Sequence, residues 1–491
     1  MPDSFPLPPR FSSVDEYLSS LAEFYLNPFV QSLAGGVHIL NFFLTSPDLF
    51  EDTLPEQWVT FFDQVELDDV LDFLIFFKDN TSLQPPDSLS IFLSTVQSLS
   101  IKRNLPDEKL QSKPVPPLHS SALSVGMSPK KIHECQYLSS AISDVCSKVA
   151  TPHVIDLGSG KGYLSRTLAH EYNCSVIAVE TVESRTKGAA RLDNLYDRKS
   201  GRKKNANTEM GAGPLIHIEK FVDSGDLTDI VEQAGLSGHK IVLAGLHTCG
   251  NLSHHALRSL VDTQEIYAVA VVGCCYNLMT EKDGGMFHVL WCWLPATDAR
   301  RPTERDDVGY PMSRQLQSYS IPLPITARML ACQAPATWTR ETREGFFTRH
   351  FYRALLQLIF NDRGLLGQSE NRILIGSLRK QWYSSFQTYC RGACKRAAET
   401  YDAKFDLSCD NPFDISEDVA KEYHDRLISK KRRLCILWTL MACTVAPLTE
   451  ALIHLDRYYF LKENGASEVH VSVVFDQGIS ARNLMVVGLK C

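Results

Sequence analysis

A predicted strand, a turn rich in glycine and the beginning of a helix follow one another from residue 153, and this feature constrains the fold most. Residues 153–157 are an apolar run that predicts a buried strand, and the turn after it contains Gly158, Gly160 and Gly162. The next apolar run ends with the acid Glu180. Glycine lets the backbone approach a ligand closely, and a carboxylate at the end of the neighbouring strand can accept hydrogen bonds from ribose hydroxyls. The pattern therefore predicts an α/β fold with a site for a nucleoside-containing cofactor.

The spacing of the glycines narrows the kind of cofactor. A dinucleotide-binding turn has the pattern G-x-G-x-x-G, in which the third glycine position would be Tyr163 of this chain. A P-loop has Ser or Thr after its Gly-Lys pair, whereas Lys161 is followed by Gly162. The observed pattern, G-x-G-x-G, resembles the cofactor loop of S-adenosylmethionine (SAM) methyltransferases.

This resemblance implies a role for each part of the predicted site. The turn 158–162 would wrap the methionyl part of SAM, Glu180 would hold the ribose, and residues 221–223 would lie beside the adenine. The predicted cofactor-binding residues are Asp156, Gly158, Gly160, Gly162, Glu180 and Asp223. The alternative is a Rossmann-like core whose glycine turn binds no nucleotide.

The composition is that of a folded chain with several domains. A chain of 491 residues is expected to contain two or three domains. Its content of 44% hydrophobic and 22% charged residues excludes an intrinsically disordered chain. The net charge of -7 provides no overall attraction to nucleic acid, so a polyanion would need a local basic patch. The 14 cysteines lack the paired short spacings of a secreted disulfide framework. We therefore expect an intracellular, reducing location, the cytoplasm or the nucleus.

One long apolar stretch, residues 434–455, has two interpretations. Its length, and the basic residues 430–433 that precede it, are typical of a membrane span. However, Pro447 interrupts the stretch, Glu450 and His454 lie inside it, and its second half has apolar residues at helical spacing. An amphipathic core helix is therefore expected, and a membrane partner is not.

Changes of pattern along the chain predict five segments. They are an N-terminal helical domain (1–102), a linker (103–126), the first part of a methyltransferase-like core (127–280), an inserted and mainly helical region (281–430), and the last helix and hairpin of the core (431–491).

Strands separated by helices in the first part of the core predict a parallel sheet. Two later apolar runs, 468–475 and 483–489, flank Asp476-Gln477-Gly478 and predict an antiparallel hairpin. A parallel sheet that ends in such a hairpin is similar to the SAM methyltransferase fold. The predicted fold class is therefore a Rossmann-like α/β sheet with a C-terminal hairpin, an N-terminal helical domain and a large insertion before the last helix.

Short motifs along the chain resemble the methyltransferase-like protein 25 family. They are MSPKK (127–131) with HE (133–134), DLGSGKG (156–162), HTCG (247–250), GCCY (273–276), GYPMS (309–313) and LDR (455–457). The resemblance implies SAM-dependent methyl transfer, and one branch of the family is labelled as containing a ribosomal RNA adenine dimethylase domain.

Adenine-N6 enzymes have an Asn/Asp-Pro-Pro-aromatic or Asn-Leu-Pro-aromatic run after the fourth strand, where this chain has HTCG. An adenine amine is therefore not the expected acceptor.

The ends of the fourth and fifth predicted strands carry the candidates for the acceptor side, His247, Cys274 and Tyr276. A histidine can take a proton near neutral pH, while methyl transfer otherwise depends on holding the acceptor in line. Together with Cys249 and Cys275, His247 and Cys274 also have the ligand types of a zinc site. Since adjacent residues of a strand point to opposite faces, we expect the cysteines to be packing residues and predict no metal.

Basic residues concentrate between Arg185 and Lys204, with Tyr196 among them. Such a segment can contact phosphates and stack on bases, although a solvated helix and loop have the same composition. RNA is therefore the expected acceptor class and protein the second, whereas DNA is not expected. The predicted function is a SAM-dependent methyltransferase, and the alternative is a non-catalytic interaction protein that keeps the fold.

Overall fold

The computed structural model describes residues 3–36, 38–77, 82–104, 122–200, 214–281, 308–366, 373, 375–376, 378–401 and 413–490. The α-helices there are α1 (Val14–Tyr25), α2 (Pro28–Gln31), α3 (Leu49–Thr53), α4 (Glu56–Gln64), α5 (Leu67–Ile75), α6 (Asp87–Leu99), α7 (Pro129–Val149), α8 (Tyr163–Glu171), α9 (Glu183–Ser200), α10 (Thr228–Gln233), α11 (Leu252–Asp262), α12 (Arg314–Tyr319), α13 (Ile325–Ala331), α14 (Arg340–Asp362), α15 (Phe386–Tyr401), α16 (Glu417–Leu427) and α17 (Lys431–Glu463). A π-helical turn covers Ser32–Gly36, and 3₁₀ turns cover Ile39–Asn41, Tyr276–Leu278, Pro335–Thr337, Lys380–Tyr383 and Ile428–Lys430.

The strands form one sheet of mixed direction. They are β1 (His153–Leu157), β2 (Ser175–Glu180), β3 (Leu215–Glu219), β4 (Ile241–Thr248), β5 (Ile266–Gly273), β6 (Glu468–Val473) and β7 (Leu484–Leu489), in the order β3-β2-β1-β4-β5-β7-β6. Strands β1 to β5 are parallel, β7 is antiparallel to β5, and β6 is antiparallel to β7. The predicted Rossmann-like sheet with a C-terminal antiparallel hairpin is therefore confirmed.

The chain divides into two compact units. The first contains Met1–Phe24, Leu99–Leu323 and Leu448–Cys491, and the second contains Tyr25–Ser98 and Pro324–Pro447. The whole sheet belongs to the first unit, whereas the second unit is helical in its described part. The five-segment division expected from the sequence stays a prediction.

Strands β1, β2, β4 and β5 are buried along most of their length, because helices cover both faces of a parallel sheet. Part of the apolar core against them comes from α7 and α8, through residues such as Leu138, Ile142, Leu164 and Leu168. The packed core therefore holds the carboxyl ends of the central strands in fixed positions.

One helical stretch, Glu417–Glu463, is long and apolar enough to span a membrane by its length and composition. In its apolar window, 89% of the residues are buried inside the protein. Burial of this extent is typical of a core helix, and the membrane question stays a prediction.

Polar residues in the last part of α17 hold other segments of the first unit. Asp456 accepts hydrogen bonds from the backbone N–H groups of Met312 (2.9 Å) and Ser313 (2.8 Å), and from the Ser313 hydroxyl (2.8 Å). Arg457 donates to the Ser253 hydroxyl at 2.7 Å. Two of the motifs noted in the sequence, GYPMS and LDR, are thus in direct contact with each other.

Candidate functional site

A cavity of about 290 Å³ lies at the carboxyl ends of the parallel strands. It is lined by residues that follow β1, β3 and β5 and by residues at the ends of β2 and β4. Among them are Gly158, Glu180, Phe221, Val222, His247 and Cys275. Ligands of open α/β sheets bind at this edge, beyond the carboxyl ends of the strands.

The glycine turn after β1 has a backbone that favours glycine. The φ angles of Gly158, Gly160 and Gly162 are 68°, 57° and 66°. A Cβ on Gly158 would lie 3.0 Å from a Leu252 methyl carbon, whereas a Cβ on Gly160 would have no atom within 4 Å. The turn is therefore constrained on one side and open on the other, where a ligand could approach the backbone.

Glu180 faces this turn. Its carboxylate accepts hydrogen bonds from the N–H of Gly160 at 2.9 Å and of Val182 at 3.0 Å, and Arg185 lies 3.4 Å away. The side chain is 6% exposed. The structure thus brings together the two parts of the predicted ribose and methionyl site.

Asp156 lies behind the turn instead of lining the cavity. It is fully buried at the end of β1, and its carboxylate accepts a 2.5 Å hydrogen bond from Ser165 of α8. Burial raises the pKa of Asp156 to about 7, and the bond from Ser165 offsets only part of that effect. The carboxylate therefore joins β1 to α8 and positions the turn between them.

Asp223, predicted beside the adenine, lines a neighbouring cavity together with Ser224, Asp226 and Thr228. Because β3 ends at Glu219, the chain has already turned by residue 223, and only Phe221 and Val222 of the predicted segment line the cavity with Glu180. Phe221 is 36% exposed there.

His247 occupies an irregular position near the end of β4. Its φ is 62°, and the pairing of β4 with β5 shifts register between Leu246 and Thr248. A bulge of this kind redirects a side chain, and a non-glycine residue in the left-handed region costs about 1–3 kcal/mol. The strained backbone at His247 thus coincides with a side chain that lines the cavity.

Glu134 of α7 holds His247, and sequence reasoning assigned it no role. His247 Nε2 lies 3.0 Å from Glu134 Oε1, and Ser480 and Lys131 donate to the same carboxylate at 2.8 and 2.7 Å. Burial alone would raise the pKa of Glu134, but the bonds and charges of His247 and Lys131 hold it at about 2. The buried carboxylate is therefore charged and fixes the orientation of the imidazole.

Three cysteine sulfur atoms meet at the cavity. Cys274 Sγ lies 3.3 Å from Cys249 Sγ and 3.3 Å from Cys275 Sγ. The premise that Cys274 and Cys275 diverge is wrong, because β5 ends at Gly273 and strand alternation no longer applies beyond it.

Tyr276, predicted on the acceptor side, is instead part of the core. It is 1% exposed, and its hydroxyl donates a 2.7 Å hydrogen bond to Glu450 of α17. Of its neighbours in the motif, Cys275 lines the cavity, immediately before the 3₁₀ turn that contains Tyr276.

The basic segment beside the cavity is the helix α9. Its described cations Arg185, Lys187, Arg191, Arg198 and Lys199 are exposed, and Arg202, Lys203 and Lys204 lie outside the described residues. Tyr196 is 7% exposed and stacks on His170 with ring centroids 4.1 Å apart. The helix therefore offers charge to a partner, but its tyrosine is not placed to stack on a base.

The sheet order, the glycine turn and the facing acid define the class of this protein as one that carries a methyltransferase domain. Residues 130–282 match the family model described as "Methyltransferase domain". This range runs from α7 through the glycine turn, Glu180 and the three cysteines.

The chain is similar to proteins named probable methyltransferase-like protein 25. It is 24% identical over 478 residues to the probable methyltransferase-like protein 25 of Mus musculus, which covers 74% of this chain and 75% of that relative. It is 28% identical over 251 residues to the Homo sapiens protein of the same name, covering 51% of this chain and 37% of that relative. The resemblance predicted from the motifs is therefore confirmed.

Among solved structures, the methyltransferase domain of bacterial CtHen1 aligns with 35% of this chain and 77% of its own length. The sequence identity is 18% and the TM-score is 0.21.

Proposed function

We propose that this chain is a SAM-dependent methyltransferase that binds its cofactor in the cavity between the glycine turn and Glu180, with RNA as its acceptor. The observation that carries the proposal is the 2.9 Å hydrogen bond from the Gly160 N–H to the carboxylate of Glu180, which lines the cavity together with Gly158.

The residues of the cavity fit a nucleoside with a charged amino acid part. The open side of Gly160 allows a ligand to approach the backbone, and Glu180 supplies a carboxylate for ribose hydroxyls. Phe221 and Val222 form an apolar surface suited to an adenine. When bound, SAM supplies an electrophilic methyl group.

The chain's own residues would then hold the acceptor. Positioning provides most of the rate in such a transfer, because a bound acceptor in line with the methyl group no longer has to be found by diffusion. His247 contacts Glu134 and lines the cavity, and in this proposal it would take a proton from the acceptor.

RNA is the acceptor class that the charge distribution favours. The exposed cations of α9 begin at Arg185, which lines the cavity, and continue along the helix. Phosphates attract such a row of cations even when the net charge of the protein is negative.

Titration calorimetry of the full chain with SAM tests the cofactor site. We expect Glu180→Ala to weaken binding at least tenfold, about 1.4 kcal/mol, because the ribose loses a charged hydrogen-bond acceptor. Glu183→Ala is the matched control, since Glu183 is 62% exposed and pairs with Lys187 on α9. Equal affinities for wild type and Glu180→Ala would show that the cofactor, if bound, lies elsewhere.

Transfer of a labelled methyl group from SAM to separate RNA and protein fractions tests the acceptor. We expect label in RNA, and a loss of at least tenfold when Arg191 and Arg198 are both changed to glutamate, with SAM affinity unchanged. Label in protein alone would contradict RNA as the acceptor. SAM binding without any labelled product would identify a non-catalytic protein that keeps the fold.

A further inference from the structure

The geometry points to a zinc site formed by the sulfur atoms of Cys249, Cys274 and Cys275, at the wall of the cavity. This inference goes beyond the proposed function and does not depend on it, because metal binding needs neither SAM nor an acceptor.

The distances between the sulfur atoms match those of a shared metal ion. The three atoms all lie within 4.8 Å of one another, and two of the separations are 3.3 Å. A tetrahedral zinc ion with bonds of about 2.3 Å to sulfur holds its sulfur ligands roughly 3.8 Å apart. Small rotations of the three side chains therefore suffice to place one ion between them.

The backbone of two loops that follow neighbouring strands brings the cysteines together, independently of any contact between their sulfur atoms. Cys249 follows β4 and the other two cysteines follow β5, which are neighbouring parallel strands. Gly250 has a φ of 56°, and a Cβ on it would lie 2.7 Å from the carbonyl oxygen of Leu278. Asn251 also accepts a 2.9 Å hydrogen bond from the Thr280 N–H. The ligand positions are thus set in advance, as a metal site requires.

The position of the cluster differs from that of cysteines that fill a core. Cys135, Cys146 and Cys174 are buried, as packing cysteines are. Cys249 is exposed, and it lines the cavity together with Cys275. A zinc ion bound here would displace the thiol protons, and soft sulfur ligands favour zinc over magnesium or calcium.

The ligand set consists of the three sulfur atoms alone. His247 lines the same cavity as Cys249 and Cys275, but its ring nitrogen does not belong to the group whose atoms lie within 4.8 Å of one another. Three protein sulfur ligands leave the fourth position of a tetrahedral ion for another group, which is the arrangement of catalytic zinc sites.

Metal analysis of the full chain tests the site. The protein is produced in medium with added zinc, purified with a reductant and without chelator, desalted, and measured by mass spectrometry of the elements. We expect about one zinc ion per chain, and at least tenfold less in the double variant Cys249→Ser/Cys275→Ser. Cys332→Ser is the matched control, because Cys332 is partly buried, as Cys275 is, but lies outside the cluster. Circular dichroism checks that each variant folds.

A second measurement needs no variant. Added Zn²⁺ should protect the three cysteines of the metal-free wild type from iodoacetamide, as read by peptide mapping, and added Co²⁺ should give a sulfur-to-metal charge-transfer band. Equal alkylation with and without Zn²⁺, zinc retained by the double variant, or a Cys249–Cys274 disulfide in the reduced preparation would overturn the inference. None of these outcomes bears on SAM binding, so the two proposals fail separately.

Discussion

Glu450→Ala is expected to lower the free energy of unfolding by about 3–5 kcal/mol, as measured by urea denaturation followed by tryptophan fluorescence. Glu450 is buried in α17 and forms ion pairs with Arg103 and with Arg482, the latter at 3.1 Å. The two guanidinium side chains are only 11% and 12% exposed. Removing one partner of a buried pair leaves charge without compensation, and Tyr276 also loses its acceptor.

The matched control is Glu422→Ala. Glu422 pairs with Arg426 at 3.9 Å on the surface, where the side chains are 67% and 50% exposed. We expect a loss of less than about 1 kcal/mol for this exposed pair. A similar loss in both variants would mean that the buried network adds nothing specific.

The same network predicts sensitivity to acid. Burial would raise the pKa of Glu450, but Arg103 and Arg482 more than offset it and hold the pKa at about 2, below the ordinary value of 4.5. A lowered pKa gives stability that is present above pH 4.5 and is lost as the pH falls toward 2. Wild type should therefore lose about 2 kcal/mol relative to Glu450→Gln between pH 5 and pH 3.

Asp156→Asn is expected to remove a pH dependence of the opposite sign. The pKa of Asp156 is about 7 in the folded chain because of burial, against an ordinary value of 3.8. Between these values the unfolded chain releases a proton that the folded chain keeps, so the stability of wild type falls as the pH rises. We expect wild type to lose about 2 kcal/mol relative to Asp156→Asn between pH 5 and pH 7.

The slope with pH, and not the stability at one pH, tests this expectation, because a buried asparagine adds a cost that does not depend on pH. Urea denaturation at pH 5, 6, 7 and 8 measures it, with Asp144→Asn as the control for an exposed acid of the same unit. Parallel curves for wild type and Asp156→Asn would show that Asp156 is already ionised at pH 5.

These two carboxylates show that burial alone does not decide the charge of a group. Both are buried, but Glu450 has two guanidinium partners, whereas Asp156 accepts a hydrogen bond from the Ser165 hydroxyl. The sequence places an acid in each position and does not show which partners surround it.

Local sequence patterns predicted much of the sheet and half of the candidate site. The bounds of β1 are the predicted ones, because the short run 153–157 lies between Pro152 and the glycine turn that begins at Gly158. Glu180 faces the glycine turn as expected, since both the strand end and the turn follow from neighbouring residues. The register shift between Leu246 and Thr248 near the end of β4 was not predicted, because nothing in the local pattern signals a bulge there.

Contacts between distant parts of the chain could not be predicted from spacing. Glu134 holds His247 from 113 positions away, and Glu450 binds Tyr276 from 174 positions away. The alternation of side chains along a strand was assumed to continue through Cys274 and Cys275. It does not, because β5 ends at Gly273. Asp156 and Asp223 were predicted to bind the cofactor, but neither side chain lines the cavity that contains Glu180. The path of the backbone near the ends of β1 and β3 determines which side chains reach that cavity.

The position of β7 has a consequence for synthesis on the ribosome. Residue Val486 pairs with Val271 of β5, and β7 also separates β5 from β6. At about 5–20 residues per second, roughly 10–40 s pass between the emergence of the two partners. During that interval the nascent chain would present the unpaired edge of β5, an edge on which other chains can aggregate, and a chaperone would be most useful there.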